Sequence, residues 1–155
     1  MRTSFMENRV PPPVLMVVVA VAMWLIAEVT PHVSWPPPVR FGAAAALAAV
    51  GIGFNVAGFR TIRRAGSTID PTRPSAASAL VTGGPFRISR NPMYVGFAAM
   101  LLAWAVVLQS PWAFAGPVFF ALYLNRWQIG PEERALRAKF GPDFLTYQAQ
   151  VRRWL

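Results

Sequence analysis

Four apolar stretches joined by connections of very unequal length decide the solvent in which this chain can fold. They run from Pro13 to about Ala27, from about Val39 to Phe59, from Met93 to Leu108 and from about Trp112 to Leu124. A helix that crosses a bilayer needs roughly 20 apolar residues, within a range of about 17–25. The second stretch meets that length, and the others reach it with their flanks. Trp35, Trp104, Trp112 and Trp127 fall at or near the expected ends, where interfacial aromatics gather. Only 14% of the 155 residues are charged, against about 25% in a soluble domain. The sequence therefore predicts one all-α domain, a polytopic transmembrane helical bundle of about four spans with a helical C-terminal tail. Basic residues precede the first stretch, as in a secretory leader. It ends in Glu28-Val29-Thr30-Pro31 without a small-x-small cleavage pattern, so an uncleaved span is expected.

The formal net charge of +9 raises the question of nucleic acid, and the placement of the charges answers it. The second connection holds Arg60, Arg63, Arg64, Arg73, Arg87 and Arg90 against Asp70 alone. The N-terminal tail carries Arg2 and Arg9. The C-terminal tail carries Arg126, Arg134, Arg137, Lys139, Arg152 and Arg153. Four spans with both termini in the cytosol put every basic residue but Arg40 on the cytosolic side. The expected partner of this charge is the bilayer, through anionic lipid, with no nucleic acid. The membrane expected is a bacterial inner or endoplasmic-type one. With no cysteine and a single histidine, His32, disulfides, thiolate ligands, a cysteine nucleophile and a multi-histidine metal site are excluded, and no metal is expected.

Along the chain, residues 1–60 hold the first two spans, 61–92 a cytosolic connection, 93–125 a helical hairpin and 126–155 a cytosolic tail. Small residues at Gly42, Ala46, Ala49, Gly51, Gly53 and Gly58 suit close helix packing in lipid. Pro117 is expected to kink the fourth span. The 61–92 connection is too long and polar for a plain turn, and loops beyond about 12–15 residues are usually functional or disordered. In the tail a helix is expected after Gly130-Pro131, with Glu132 and Glu133 in its first turn and a stop at Gly141-Pro142. A short helix from about Asp143 to Val151 follows, with Phe144, Tyr147 and Val151 on one face.

The most informative run is Gly84-Pro85-Phe86-Arg87-Ile88-Ser89-Arg90-Asn91-Pro92-Met93-Tyr94-Val95-Gly96. Gly83-Gly84-Pro85 permits a tight turn, and Asn91-Pro92 reads as cap and first residue of the third span. Taken alone, Arg87 and Arg90 read equally well as headgroup anchors, and Glu132-Glu133 as an ordinary helix start.

Together, GlyProPheArg-x-x-ArgAsnProMetTyr-x-Gly and the later ProGluGluArg-x-Leu-x-x-x-PheGly-x-x-Phe-x-x-Tyr resemble the isoprenylcysteine carboxyl methyltransferase and phospholipid methyltransferase superfamily, over about Ser67 to Trp154. The resemblance implies an S-adenosylmethionine site at the cytosolic ends of the last two spans, with the tail as lid. By position, Arg90, Asn91, Pro92, Tyr94 and Gly96 would form one wall, with Arg90, Asn91 and Tyr94 nearest the chemistry. Glu132 and Glu133 would form the other, one of them meeting the cofactor's ammonium or ribose. Leu80, Val81 and the Gly84-Pro85-Phe86 turn would lie near the adenine, and Phe140, Gly141, Phe144 and Tyr147 would pack the lid. Asn91 stands where the carboxyl-methylating branch has His, and Phe144 where the pattern has Tyr, so the acceptor class stays open among lipids, isoprenoid acids and small lipophilic molecules. The implied reaction is direct in-line methyl transfer to such a lipophilic acceptor. Two other readings predict different things. A small four-span transporter would need Glu28 as a mid-span coupling acid. A non-catalytic assembly factor would bind no cofactor.

Overall fold

The computed structural model of the chain describes residues 10–67 and 78–155. Arg2, Arg9, Asp70 and Arg73, named above for their charge, lie outside these residues. Every regular element among them is helical: α1 Pro12–Glu28, α2 Pro37–Arg64, α3 Pro92–Leu108, α4 Ala115–Leu124 and α5 Gly130–Gln150. Short 3-10 turns at Gly84–Arg87 and Pro111–Phe114 lead into α3 and α4, and a π-helical turn, Asn125–Ile129, joins α4 to α5.

Prolines open three of the long helices, where their missing N–H is one that the first turn leaves unpaired in any case. α1 buries Leu15, Val19, Met23 and Ala27, a row with four-residue spacing, against α3 and α4. Its other faces are as apolar yet open, with Val18 59% and Leu25 55% exposed. α1 therefore lacks the polar face of a helix on the surface of a soluble domain. α2 is long and apolar enough to cross a membrane, and only 17% of its most apolar 18-residue stretch is buried. α1 and α3 fall short of the expected span. With a rise of about 1.5 Å per residue, the 17 residues of each make about 25 Å, against the roughly 30 Å of a hydrocarbon core.

α2 lies along α3. A Cβ on Gly51 would sit 2.7 Å from the Gly96 carbonyl oxygen and 2.8 Å from Met100, and one on Gly58 would sit 2.8 Å from Met93. Gly51 and Gly58 are thus the packing residues of the small-residue row. Gly42 and Gly53 face open space and take no part in it. On the other side, Gly116 of α4 receives Met23 of α1. Trp104, expected at an interface, instead donates from Nε1 to the Ala20 carbonyl at 3.0 Å and ties α3 to α1.

The hairpin turn closes with Gln109 in the left-handed region (φ 56°). Ser110 shares a 2.8 Å hydroxyl hydrogen bond with Thr30. Pro117 does not kink a span, because it falls in the first turn of α4. The tail helix does not restart after Gly130-Pro131 either, since helical backbone runs unbroken from α4 through the π turn into α5. The proline ring clashes with the carbonyl four residues back in a regular α-helix. Here that residue, Trp127, lies inside the wider π turn, where the ladder is already shifted. Gly141, at φ 51° and ψ −123°, breaks α5 as expected, and Pro142 begins its second part.

Candidate functional site

At one end of the bundle, residues 79–91, the start of α5 and the last turns of α5 surround a cavity of about 100 Å³. The Gly84–Arg87 turn is held by Gly84, whose φ of 57° suits glycine and whose missing side chain makes room for Thr61 of α2. Tyr147 donates to the Phe86 carbonyl at 2.8 Å and fastens the second part of α5 to this turn.

Arg90 is the hub. Its Nη2 donates to Glu133 Oε1 at 2.8 Å, its Nη1 to the carbonyls of Gln148 and Val151, and its backbone N–H to the Arg152 carbonyl at 2.9 Å. Helix ends leave their last carbonyls unpaired, and Arg90 supplies donors to those at the end of α5. Glu133 accepts as well from Arg153, at 2.6 Å. Burial pushes the Glu133 carboxyl up, but hydrogen bonds and charge from Arg153 and Arg90 outweigh it and hold it below the usual carboxylate range.

Asn91 is not the side-chain cap of α3 that its position suggests. Its Nδ2 donates to the Arg153 carbonyl at 2.9 Å, and Ser89 Oγ reaches the same carbonyl at 3.2 Å. The cap position is served instead by Ser89, whose Oγ accepts from the Asn91 N–H at 3.0 Å. Further along the tail, Trp154 Nε1 donates to Asn125 Oδ1 of the π turn at 3.1 Å. Residues 148–154 are therefore stitched to the start of α3 and to the π turn.

Glu132 is in a different state from its neighbour. Tyr94 donates to its Oε2 at 3.2 Å. Its residual exposure is into the cavity. Burial raises its carboxyl, the Tyr94 hydrogen bond opposes that, and the charge of Glu133 adds to it, leaving it pushed up to about 7. Burial also raises the Tyr147 hydroxyl, with Arg90 pulling against it.

The structure brings Leu80, Val81 and Phe86 to the cavity wall together with Arg90, Asn91, Glu132, Glu133 and Tyr147, and adds Phe144 of the lid. Tyr94 reaches it through Glu132. The other expected residues stand apart. Gly96 is a packing glycine against Gly51 and Asn55 of α2, and Pro92 is buried towards Gly58. Gly84 and Pro85 shape the turn without lining the cavity, and Phe140 ends the first part of α5 away from it. Arg153, Ser89, Gln148 and Trp154 were not legible as site residues, because long-range contacts to backbone carbonyls leave no spacing signal. Leu136, a wall residue, was legible only as part of an apolar helix face. Glu28, which a transporter would need within a span, is the last residue of α1 and is exposed.

No solved structure matches this chain. An uncharacterised protein of Haemophilus influenzae (strain ATCC 51907 / DSM 11121 / KW20 / Rd) is 41% identical over 63 residues, which is 41% of this chain and all of the relative. The profile of the phospholipid methyltransferase family matches residues 39–143, from the start of α2 to the break in α5. That stretch holds the first sequence motif, the second as far as Gly141 and both carboxylates of the cavity, and the chain belongs to the phospholipid methyltransferase family.

Proposed function

We propose that this protein is an integral membrane methyltransferase that uses S-adenosylmethionine and methylates a lipophilic acceptor at the cytosolic membrane face. An isoprenoid carboxylate, a lipid amine or a small lipophilic molecule would serve as acceptor. Family membership supports methyl transfer in general. The observation that carries the rest is Glu132, a carboxylate oriented by Tyr94 and lining a cavity whose walls include Leu80, Val81 and Phe86. A carboxylate beside apolar walls suits a ligand that joins positive charge to a flat purine ring.

When bound, the cofactor supplies a methyl group activated by a positively charged sulfur. Glu132 would balance that positive charge or the ammonium of the same molecule. Tyr94 fixes the rotamer of Glu132, and Glu133 is spent on Arg90 and Arg153 to keep the tail in place. The tail shields the cavity from water, and alignment with water exclusion is the protein's main lever in direct transfer. At about 100 Å³ the cavity is smaller than the roughly 300 Å³ of sites that enclose a small-molecule ligand. Admission of the cofactor would then need the second part of α5, whose Phe144 and Tyr147 line the cavity, to move outward. The acceptor would enter from the bilayer between helices, in a multi-span arrangement with both ends of the chain in the cytosol.

Isothermal titration of S-adenosylhomocysteine into the detergent-purified protein tests this reading. Saturable binding is expected. A hydrogen bond to a charged group contributes about 1.5–3 kcal/mol, so Glu132→Gln should weaken binding about 10–150-fold. No binding by folded wild-type protein would refute cofactor use. Undiminished binding by Glu132→Gln would refute the assignment of this carboxylate.

A further inference from the structure

A second concavity, of about 530 Å³, lies beside the last turns of α2, apart from the cavity at Glu132. Val56, Phe59, Arg60 and Arg63 line it at i, i+3, i+4 and i+7 and so form one stripe of the helix, flanked by Asn55, Arg64 and Met93. The stripe changes character along its length. Val56 and Phe59, each 41% exposed, make the inner part apolar. Arg60, Arg63 and Arg64 make the outer part a cluster of three positive charges, and among the described residues no carboxylate lines it. The Arg63 guanidinium sits 5.7 Å from the centre of the Phe59 ring, which couples the charged end to the apolar one.

At the inner end, Asn55 Nδ2 donates to the Gly51 carbonyl at 2.9 Å, whereas its buried Oδ1 has no partner among the described residues. A buried acceptor without a donor is costly in an apolar medium. Asn55 lies about 7 Å along the helix from Arg60. An occupant whose polar region extends below the arginines therefore suits the groove better than a bare hydrocarbon chain.

α2 is the helix long and apolar enough to cross a membrane, so its arginine-bearing end meets the headgroup layer while Val56 and Phe59 meet acyl chains. We infer that this groove holds one anionic phospholipid, its phosphate on Arg60, Arg63 and Arg64 and a chain along Val56, Phe59 and Met93. The site is independent of the methyl-transfer reading, since it shares no residue with the cavity at Glu132.

Native mass spectrometry of the detergent-solubilised protein with equimolar dioleoyl phosphatidylglycerol and dioleoyl phosphatidylcholine tests the inference. One phosphatidylglycerol per chain is expected, preferred by at least about tenfold, since each arginine adds attraction to an anionic headgroup. The triple variant Arg60→Gln, Arg63→Gln, Arg64→Gln should lose the preference, with helix content by circular dichroism unchanged. The triple lysine variant, which keeps the charge, should retain it. Equal binding of the two lipids by wild type overturns the inference. So does a preference that survives the glutamine substitutions, or complete displacement by millimolar inorganic phosphate, which would assign the cluster to free anions.

Discussion

Replacing Glu132 by Gln should change how stability depends on pH, in a direction that the geometry fixes. Burial keeps the Glu132 carboxyl protonated up to about 7 instead of the usual 4.5. Between those values the folded chain binds more protons than the unfolded one, so its stability falls as pH rises through about 4.5–7 and levels off above. At about 1.4 kcal/mol per pH unit across that interval, the loss between pH 5 and pH 8 is about 2–3 kcal/mol. For a chain of this size, about 2–4 °C of melting temperature accompanies each kcal/mol, which makes the loss about 5–10 °C. Gln keeps the acceptor for the Tyr94 hydroxyl and cannot ionise, so its profile should lack this component. The assay is intrinsic tryptophan fluorescence during a thermal ramp in detergent, at half-unit pH steps, on wild type and variant. The gap in favour of Glu132→Gln should be small at pH 5 and widest at pH 8. Parallel profiles would refute the premise that this carboxyl is desolvated. The same premise makes S-adenosylhomocysteine binding tighten as pH rises from 5.5 to 8, because the ammonium of the ligand needs the ionised carboxylate.

Three further outcomes follow from single contacts. Gly51→Ala puts a methyl group against the Gly96 carbonyl and Met100 and should destabilise by about 1–3 kcal/mol. Gly53→Ala, which meets nothing within 4 Å, should instead stabilise by up to about 1 kcal/mol; thermal unfolding of the pair separates packing from propensity. Gly141→Ala puts a side chain on backbone at φ 51°, ψ −123°, outside the left-handed helical region that Asn also visits, and should cost about 1–3 kcal/mol, with Gly141→Asn no better tolerated in the same melt. Arg90→Gln removes the guanidinium donors to the Gln148 and Val151 carbonyls, so limited trypsin digestion should cleave after Arg152 faster than in wild type, while the core fragment persists.

The helical architecture was legible because its signals are local. Proline starts, the polar Gln109-Ser110-Pro111 turn and the Gly141-Pro142 break each occupy two or three adjacent residues with fixed conformational preferences. The paired motifs supplied Arg90, Asn91, Glu132 and Glu133, which the fold brings to one cavity. Gly96 packs against Gly51 and Asn55 of α2, a contact that spacing along the chain does not reveal. Asn91 looked like a cap by local rules, but its amide serves the Arg153 carbonyl, 62 residues away. The unequal states of Glu132 and Glu133 were out of reach for the same reason. Adjacent and identical, they differ only in what the fold brings to each: two arginines to Glu133 and a tyrosine to Glu132.

The unbroken backbone from α4 through the π turn into α5 has a mechanical consequence. α4 presents Val118, Phe119 and Leu122 to its surroundings, and α5 carries Glu132 three residues beyond the turn. A helix adjusts its tilt to the thickness of the hydrocarbon around it. A stiff continuation converts that tilt into displacement of the carboxylate, and Trp154 on Asn125 moves the tail with it. Under the proposed multi-span arrangement, bilayer thickness becomes an input to the site. In vesicles of graded acyl-chain length, activity should peak where the membrane matches the short α1 and α3, and decline in thicker ones.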